Sequence, residues 1–347
     1  MKKINVCIMF GGVSTEHEVS LTSASSVLSN IDREKYDVTM LGITKGGRWL
    51  LYDGEIEKIA SGEWERDPAH TVGAWISPSR GDKAVRTEDG RTVDIDVVFP
   101  VMHGANCEDG TLQGLLTLAD IPFVGPDCEA SALCMDKAAA KIVLNSFGIP
   151  QAKAVIIDRS ELRDAEKICE NCEMLGYPLF VKPSRAGSSV GVSKVRNRPE
   201  LESALADAFK IDRTVLVEEY IKGREVEVAV MGNEEPTASV CGEIDPGSDF
   251  YDYETKYVSD TASYYIPARL DEETSEKIRA YAIEIYKRLG CRGLSRVDFF
   301  IGDRIIFNEI NTLPGFTSIS MFPKLFMYGG MSYSEIIDRL ITLALEK

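Results

Sequence analysis

Residues 296–323 constrain the fold more than any other part of the chain. They read RVDFFIGDRIIFNEINTLPGFTSISMFP, in which two short runs rich in Val, Ile and Phe flank a Gly-Asp pair. This pattern predicts two antiparallel strands joined by a tight turn. Asp298 then lies on the first strand. Glu309 and Asn311 lie at the end of the second strand and, being two positions apart, point to the same face. We expect these three side chains to meet.

Two carboxylates and one amide oxygen on one face form an all-oxygen site. Mg²⁺ prefers octahedral oxygen ligands at about 2.1 Å and completes its shell with water and substrate phosphate. A solvated sheet face is the simpler interpretation of such residues. The positions that flank Asp298 and Glu309 are apolar, however, so their charges would be partly buried. Because a buried charge without a partner is costly, the pattern favours a magnesium site that includes Asn311.

The composition excludes several classes of protein. The chain has 347 residues, 44% of them hydrophobic, which is enough for two or three domains with substantial cores. No apolar run approaches the roughly 20 residues of a membrane span. The first apolar run is followed by Gly-Gly rather than by a signal-peptide cleavage site. A net charge of −16 disfavours nucleic acid as a partner. We therefore expect neither a membrane nor a nucleic-acid partner.

The eight cysteines do not indicate a disulfide scaffold in a chain of this length. Cys169 and Cys172 form one C-x-x-C pair, but no second pair follows and the chain has only three histidines. Reduced cysteines in a cytoplasmic protein are the better interpretation.

Strand and helix patterns alternate in the first part of the chain. Buried-strand runs lie at 4–10, 37–44 and 94–104. Helical patterns follow them, as at 113–121. This alternation predicts a Rossmann-like N-terminal domain with a parallel sheet, residues 1–125, and ligands at the carboxyl ends of its strands. The polar residues 52–92 are interpreted as an elaborated surface hairpin.

Two α+β units are predicted after the first domain. The central unit, residues 126–221, begins with one helix over 131–147, which Gly148 ends. The C-terminal unit, residues 222–347, contains the hairpin described above and a loop over 246–263 that is rich in Tyr and Asp.

The loop 184–191 of the central unit reads SRAGSSVG. Its small residues let backbone N–H groups approach an anion. Alone, such a loop is most often an ordinary hairpin turn. Lys182 lies on the strand that enters the loop, and Lys137 lies at the start of a helix, so both can reach phosphate oxygens. A solvated charge is the usual interpretation of each lysine, but together they favour a phosphate site. The chain has neither a P-loop nor a G-x-G-x-x-G motif.

The run VEEYI, residues 217–221, ends a hydrophobic strand. A strand end offers backbone N–H and C=O groups to an adenine edge, and Tyr220 or Ile221 can cover the adenine face. A plain strand terminus has the same appearance. Glu225 is suited to accept a hydrogen bond from a ribose hydroxyl.

Seven motifs span nearly the whole chain: GGVSTEHEVS, HGANCEDGTLQG, SALCMDK, FVKPSRAGSSVG, YDYETKY, GLSRVDFF and FNEINTLPGFTSIS. In this order they resemble the D-alanine–D-alanine ligase family of the ATP-grasp superfamily. The resemblance implies an α/β ATP-grasp fold in which ATP lies between the central and C-terminal units. It also implies that one D-alanine becomes an acyl-phosphate, which the amine of a second D-alanine attacks. The product would serve peptidoglycan synthesis and thus the bacterial cell wall and cell shape.

The resemblance also implies site residues. Two Mg²⁺ ions, for which Mn²⁺ can substitute, would be held at Asp298, Glu309 and Asn311. The ATP-binding positions would be Lys137, Lys182, Ser189, Glu218, Glu219, Tyr220, Ile221, Glu225, Lys256 and Asn308. The catalytic positions would be Glu16, Ser188, Tyr257, Arg296 and Ser320. The substrate-binding positions would be Glu16, His103, Gly315, Ser320 and Met321.

These positions have distinct implied roles. Glu16 would bind the ammonium group of the first D-alanine, with Ser188 and Tyr257 as hydrogen-bonding partners. Arg296 and the backbone N–H of Gly315 suit the oxyanion of a tetrahedral intermediate. The loop over 246–263 would act as a lid, because an acyl-phosphate hydrolyses if water reaches it. Ser320 and Met321 would line the second-substrate pocket, and His103 would lie near the first.

Several alternatives stay open at this point. Ala186 stands where many family members carry Glu. D-alanine–D-serine ligases share most motifs but tend to have Arg where Met321 stands, and lactate-specific members usually lack the Tyr257-type loop, so D-alanine is favoured. A catalytically silent ATP-binding regulator should have lost a metal ligand or Arg296, and neither is lost. An NAD-dependent dehydrogenase would need a G-x-G-x-x-G motif. The family suggests a homodimer.

Overall fold

The structure is a computed structural model that describes residues 2–245 and 263–346. Within these residues the strands form sheets of seven, four and five strands. No helix in this part of the chain is both long and apolar enough to cross a membrane.

The first sheet is built from the N-terminal part of the chain. Its elements and the following helix are β1 (Ile4–Gly11), α1 (His17–Asn30), β2 (Tyr36–Ile43), β3 (Trp49–Tyr52), α2 (Ile56–Ala60), β4 (Thr71–Ile76), β5 (Ala84–Thr87), β6 (Thr92–Asp94), β7 (Val97–Val101) and α3 (Thr111–Leu118). The strand order is β6-β5-β4-β3-β2-β1-β7. β1 pairs in parallel with β2 and β7, as the alternation predicts. Its side chains from Val6 to Phe10 are fully buried, as expected of a central strand covered on both faces.

The strands β3 to β6 extend this sheet in antiparallel fashion. The segment predicted as a surface hairpin over 52–92 therefore continues the sheet, and the complete sheet is mixed. Tyr52 and Trp64 of this segment are buried, which explains why so polar a stretch adopts regular structure.

The second sheet follows two helices. The elements are α4 (Cys128–Met135), α5 (Lys137–Ser146), β8 (Ala154–Asp158), α6 (Ala165–Glu173), β9 (Leu179–Pro183), β10 (Ser193–Val195), α7 (Arg198–Ile211) and β11 (Thr214–Glu219). The strand order is β10-β9-β11-β8, and all pairs are antiparallel.

The single helix predicted over 131–147 is wrong, because α4 and α5 are separate helices. Asp136 lies between them with an extended backbone (ψ 94°), and its Oδ1 accepts the Ala139 N–H at 3.1 Å. This N-cap starts a new helix where the apolar pattern alone predicts continuity. The same oxygen accepts a hydrogen bond from the Ser184 hydroxyl at 2.5 Å. The break thus fixes Lys137 at the first turn of α5, beside the Gly/Ser loop.

The third sheet includes the predicted hairpin. The elements are β12 (Arg224–Gly232), β13 (Thr237–Asp245), β14 (Ser263–Tyr265), α8 (Glu272–Arg288), β15 (Gly293–Ile301), β16 (Ile305–Asn311), α9 (Met321–Tyr328) and α10 (Tyr333–Leu345). The strand order is β14-β13-β12-β15-β16, and all pairs are antiparallel.

The largest apolar core joins the first sheet to α9 and α10. Phe316, in the loop between β16 and α9, packs against Phe99 of β7 and Phe322 of α9, with ring centroids 5.7 Å and 5.4 Å apart. This loop is therefore held against the first sheet as well as the third. The boundaries at 1–125, 126–221 and 222–347 stay a prediction.

Candidate active site

Two cavities meet between the three sheets. The larger, of about 570 Å³, is lined by α1, the residues after β7 and the loop from β16 to α9. The smaller, of about 400 Å³, is lined by strands of the second and third sheets. Both are lined by Lys137, Ser188, Glu227, Ile244 and Glu309. These five side chains therefore mark the junction of the two cavities.

Three carboxylate residues occupy neighbouring positions across the third sheet, at the place where the cavities meet. Glu227 on β12 is opposite Asp298 on β15, which is opposite Glu309 on β16. Asn311 donates from Nδ2 to Asp298 Oδ2 at 3.1 Å. The hairpin therefore brings Asp298, Glu309 and Asn311 to one face.

Two cations balance these carboxylates. Arg296 pairs with Asp298 through two hydrogen bonds of 2.8 and 2.7 Å, and its Nε lies 3.1 Å from Glu227 Oε2. Burial would lower the pKa of Arg296, but Asp298 and Glu227 outweigh it and raise that pKa further. Lys137 Nζ lies 3.3 Å from Glu309 Oε2. Removing either cation would weaken the charge balance of a partly buried site.

The donor chemistry of Asp298, Glu309 and Asn311 fits Mg²⁺, since it is two carboxylates and an amide oxygen. In the described part of the chain, no three His, Cys, Asp or Glu side chains are arranged to hold a metal by themselves. Mg²⁺ commonly completes a shell of few protein ligands with water and phosphate oxygens.

The smaller cavity contains most of the positions predicted to bind ATP. Those that line it are Lys137, Lys182, Ser189, Glu218, Glu219, Tyr220, Ile221, Glu225 and Asn308. The ring of Tyr220 lies 6.0 Å from that of Phe180, and Lys194 Nζ lies 4.3 Å from the Tyr220 ring. The strand end at 218–221 thus borders a partly aromatic wall, on which a planar base could stack.

A buried charge cluster supports this cavity. Glu218 lies between Lys182, with Nζ to Oε2 at 2.7 Å, and Lys141, with Nζ to Oε1 at 3.0 Å. Lys182 also donates to Asn308 Oδ1 at 3.5 Å. Burial raises the pKa of Glu218, but the two ammonium groups outweigh it and lower the pKa to about 2. Glu218 is therefore ionised and holds Lys182 at the cavity wall.

The Gly/Ser loop borders both cavities through Ser188. Ser188 and Ser189 have positive φ angles of 47° and 59°, a left-handed conformation that turns the backbone sharply. Lys137 Nζ donates to the carbonyl of Ala186 at 3.1 Å. Lys137, which the sequence predicts to reach phosphate, is thus hydrogen-bonded to the loop predicted to bind the same phosphate.

The larger cavity contains the remaining predicted positions that the structure describes. They are Glu16, His103, Ser188, Arg296, Gly315, Ser320 and Met321. Glu16 is buried, and a Cβ added at Gly187 would lie 3.3 Å from its Oε2, so its carboxylate faces the Gly/Ser loop. The Ser320 hydroxyl accepts the Thr317 N–H at 3.0 Å. Met321 is buried.

Part of the predicted site lies outside the described residues. Lys256, Tyr257 and all of the predicted lid loop except Ser263 fall in this part of the chain.

Sequence reasoning missed three charged residues of the site. Glu227 lies two positions after Glu225 on β12, so alternation of side chains indicates that both face one side. Lys141 follows Lys137 by one helical turn, which places it on the same face of α5. Glu108 lies within the quoted motif HGANCEDGTLQG; burial, followed by the charge of Glu16, raises its pKa to about 8.

Comparison with known proteins identifies the family. Residues 5–126 match the model for the D-ala D-ala ligase N-terminus, and residues 143–342 match that for the D-ala D-ala ligase C-terminus. The D-alanine–D-alanine ligase of Acetivibrio thermocellus is 50% identical, with 99% of this chain and 96% of the relative covered. That of Clostridium acetobutylicum is also 50% identical, with 99% and 98% covered.

Solved structures agree with this result. The VanG D-Ala:D-Ser ligase from Enterococcus faecalis has a TM-score of 0.92 and 45% identity, with 99% of this chain and 100% of that chain covered. The D-alanine–D-alanine ligase from Coxiella burnetii has a TM-score of 0.86 and 34% identity, with 99% and 96% covered. These similarities confirm the predicted α/β ATP-grasp fold and an enzyme of the ligase class. The chain therefore belongs to the D-alanine–D-alanine ligase family.

Proposed function

We propose that the enzyme uses ATP to join two D-alanine molecules into D-alanyl-D-alanine, through an acyl-phosphate of the first, as a step in peptidoglycan precursor synthesis. The observation that carries this proposal is the junction of the two cavities at Lys137, Ser188, Glu227 and Glu309. A nucleotide in the smaller cavity and an amino acid in the larger one would meet there. Phosphoryl transfer depends mainly on such positioning and on charge stabilisation.

Nucleotide binding is assigned to the smaller cavity. The strand end at 218–221 would contact adenine, and Glu225 would accept from the ribose. Lys182 and Lys137, which border this cavity, would contact phosphate oxygens. Lys256 is assigned to the same role by resemblance alone.

The metal site is assigned to Asp298, Glu309 and Asn311. Two Mg²⁺ ions bound there, or Mn²⁺ in their place, would neutralise charge on the phosphates. Arg296 holds the Asp298 carboxylate in place through its paired hydrogen bonds.

The first D-alanine is assigned to the larger cavity, with its ammonium group on the Glu16 carboxylate. Its carboxylate oxygen attacks the γ-phosphorus of ATP, ADP leaves and the acyl-phosphate forms. The amine of the second D-alanine then attacks the acyl carbon. Arg296 and the Gly315 N–H would stabilise the resulting oxyanion before phosphate leaves with the electron pair of the broken C–O bond.

The second D-alanine is assigned to the part of the larger cavity beside Ser320 and Met321. The Met321 thioether offers an apolar surface with no hydrogen-bond donor. A D-serine hydroxyl buried there would lose water without replacement, although a hydrophobic pocket rejects an added hydroxyl by only about a hundredfold. A D-alanine–D-serine ligase is the second candidate, because the VanG structure named for that reaction is 45% identical to this chain.

The reaction is assigned to the cytoplasm. All eight cysteines are free thiols and seven of them are buried, which suits a reducing compartment. The proposal of a homodimer rests on the family resemblance.

The test is phosphate release from ATP in the presence of D-alanine, D-serine, D-lactate or no acceptor. The proposal expects release that depends on D-alanine, with D-alanyl-D-alanine as the product. A wild-type kcat/KM that favours D-serine as the second substrate would establish the second candidate. No amino-acid-dependent release would refute both.

A further inference from the structure

Three side chains, one from α1 and two from the residues after β7, are hydrogen-bonded to the backbone of the loop at 313–316. Glu108 accepts the Leu313 N–H on Oε1 at 3.3 Å and the Gly104 N–H on Oε2 at 2.7 Å. His103 Nδ1 lies 3.0 Å from the Leu313 carbonyl oxygen. The Ser23 hydroxyl accepts the Phe316 N–H at 3.3 Å.

The hydrogen bonds of His103 and Ser23 form one directed chain. The Leu313 carbonyl can only accept, so His103 Nδ1 carries a hydrogen. Nε2 of a neutral imidazole then accepts, and its partner at 3.2 Å is the Ser23 hydroxyl. Ser23 therefore donates to His103 while it accepts from Phe316. Burial lowers the pKa of His103, which favours the neutral ring that this chain requires.

The held segment contains Gly315. Within the described residues, the Gly315 N–H has no protein partner, and Gly315 lines the larger cavity. A Cβ at this position would lie 2.8 Å from the Ser320 hydroxyl oxygen, so a side chain here would displace that hydroxyl. Leu313 is fixed on one side of Gly315 and Phe316 on the other, which sets the direction of the intervening peptide group.

We propose that Ser23, His103 and Glu108 are positioning residues that aim the Gly315 N–H into the larger cavity. We call these three residues the loop clamp. The inference deepens the proposed function, in which this N–H stabilises the oxyanion of the second step. It also assigns His103 a role through the protein backbone, in addition to the substrate contact predicted for it. Residues beside the first sheet would thereby support the stabilisation of the oxyanion, whose other assigned group, Arg296, lies on the third sheet.

The chain offers a matched pair of variants. Ser23 and Ser20 both lie on α1 and are fully buried. The Ser20 hydroxyl accepts the Gly11 N–H at 2.8 Å and donates to the Val101 carbonyl at 2.5 Å. Both partners are on strands of the first sheet, so neither bond involves the loop at 313–316. Ser23→Ala and Ser20→Ala thus remove similar buried hydrogen bonds, but only Ser23→Ala releases the loop.

We expect Ser23→Ala to lower kcat for dipeptide formation by about tenfold to a hundredfold, since a small misplacement of a catalytic group has effects of this size. The KM for ATP should stay within about twofold of wild type. Ser20→Ala should lower the melting temperature similarly but leave kcat within about twofold. Equal kcat values for the two variants would overturn the loop clamp.

Amide hydrogen exchange of residues 312–317 provides a readout that does not depend on activity. Faster exchange in Ser23→Ala than in Ser20→Ala supports the loop clamp even if the proposed reaction is wrong. Unchanged exchange refutes it even if the reaction is right. If Ser23→Ala does not fold, Glu108→Ala answers the same question, because it removes the acceptor of the Leu313 N–H whatever the protonation state of the carboxyl group. The control is Asp109→Ala, because within the described residues the Asp109 carboxylate accepts only from the nearby Asn106 and Thr111 N–H groups.

Discussion

Glu218 provides the sharpest test of the electrostatics in the smaller cavity. Its carboxylate is 7% exposed and contacts both Lys182 and Lys141, at 2.7 and 3.0 Å. Glu218→Gln keeps the size and one acceptor oxygen but leaves two buried ammonium groups without their carboxylate. Breaking a buried ion pair by removing one partner typically costs about 3–5 kcal/mol.

The pKa of Glu218 indicates a contribution of similar size to the free energy of unfolding. Burial raises it, yet Lys182 and Lys141 lower it overall from 4.5 to about 2. Because each pKa unit corresponds to about 1.4 kcal/mol, the ionised group contributes roughly 3 kcal/mol to the free energy of unfolding. The folded-state pKa lies below the unfolded value, so this contribution is complete above about pH 4.5 and is lost as the pH falls through about 2.

The assay is urea unfolding of wild type and Glu218→Gln at pH 7 and pH 3. We expect the variant to be about 3 kcal/mol less stable at pH 7, and the difference to shrink to about half at pH 3. Glu202→Gln is the control, because its solvent-screened ion pair with Arg198 should contribute little to the free energy of unfolding. A difference below about 1 kcal/mol at pH 7, or one that does not change with pH, would refute the reasoning. The KM for ATP should also rise, because Lys182 would lose the carboxylate that holds it.

Three further variants test the assigned site. Glu309→Gln should lower kcat at least tenfold and raise the Mg²⁺ concentration for half-maximal activity, and activity within twofold of wild type at unchanged melting temperature would contradict the metal site. Tyr257→Phe removes one hydroxyl worth about 0.5–1.5 kcal/mol, so the KM for the first D-alanine should rise about two- to tenfold with ATP affinity kept; an unaltered KM would contradict this role. Met321→Arg supplies a donor and should narrow or reverse the D-alanine over D-serine ratio of kcat/KM, whereas an unchanged ratio would place the second substrate elsewhere.

The hairpin of the third sheet could be predicted because its information is local. Apolar runs, a tight turn and a period of two are enough to place Asp298 and Glu309 on one face, and the register pairs them directly. The helix break at Asp136 is local too, but the apolar pattern favours one long helix there. The N-cap decides the outcome, since its carboxylate satisfies an N–H of α5 and also bonds the Ser184 hydroxyl.

The missed residues depend on contacts between distant segments. Glu227 meets Asp298 because β12 pairs with β15, and Glu108 meets Leu313 because the first sheet packs on the loop before α9. Periodicity predicts which face a side chain occupies but not which segment covers that face. A charged residue with a distant partner therefore resembles a solvated one in the sequence, as Lys141 does.

The site's own ion pairs explain how so acidic a protein can accept a nucleotide. With a net charge of −16, the chain repels anions at long range, and its local cations are already paired: Lys182 with Glu218, and Lys137 with Glu309. A phosphate group alone would have to compete with these carboxylates. Under the proposed function, Glu309 would contribute to holding a metal ion bound with the phosphates, and Lys137 would then be available to contact phosphate. The ion pair of the ligand-free site would thus be replaced by two contacts with the nucleotide complex, which would favour a nucleotide with its metal over either one alone.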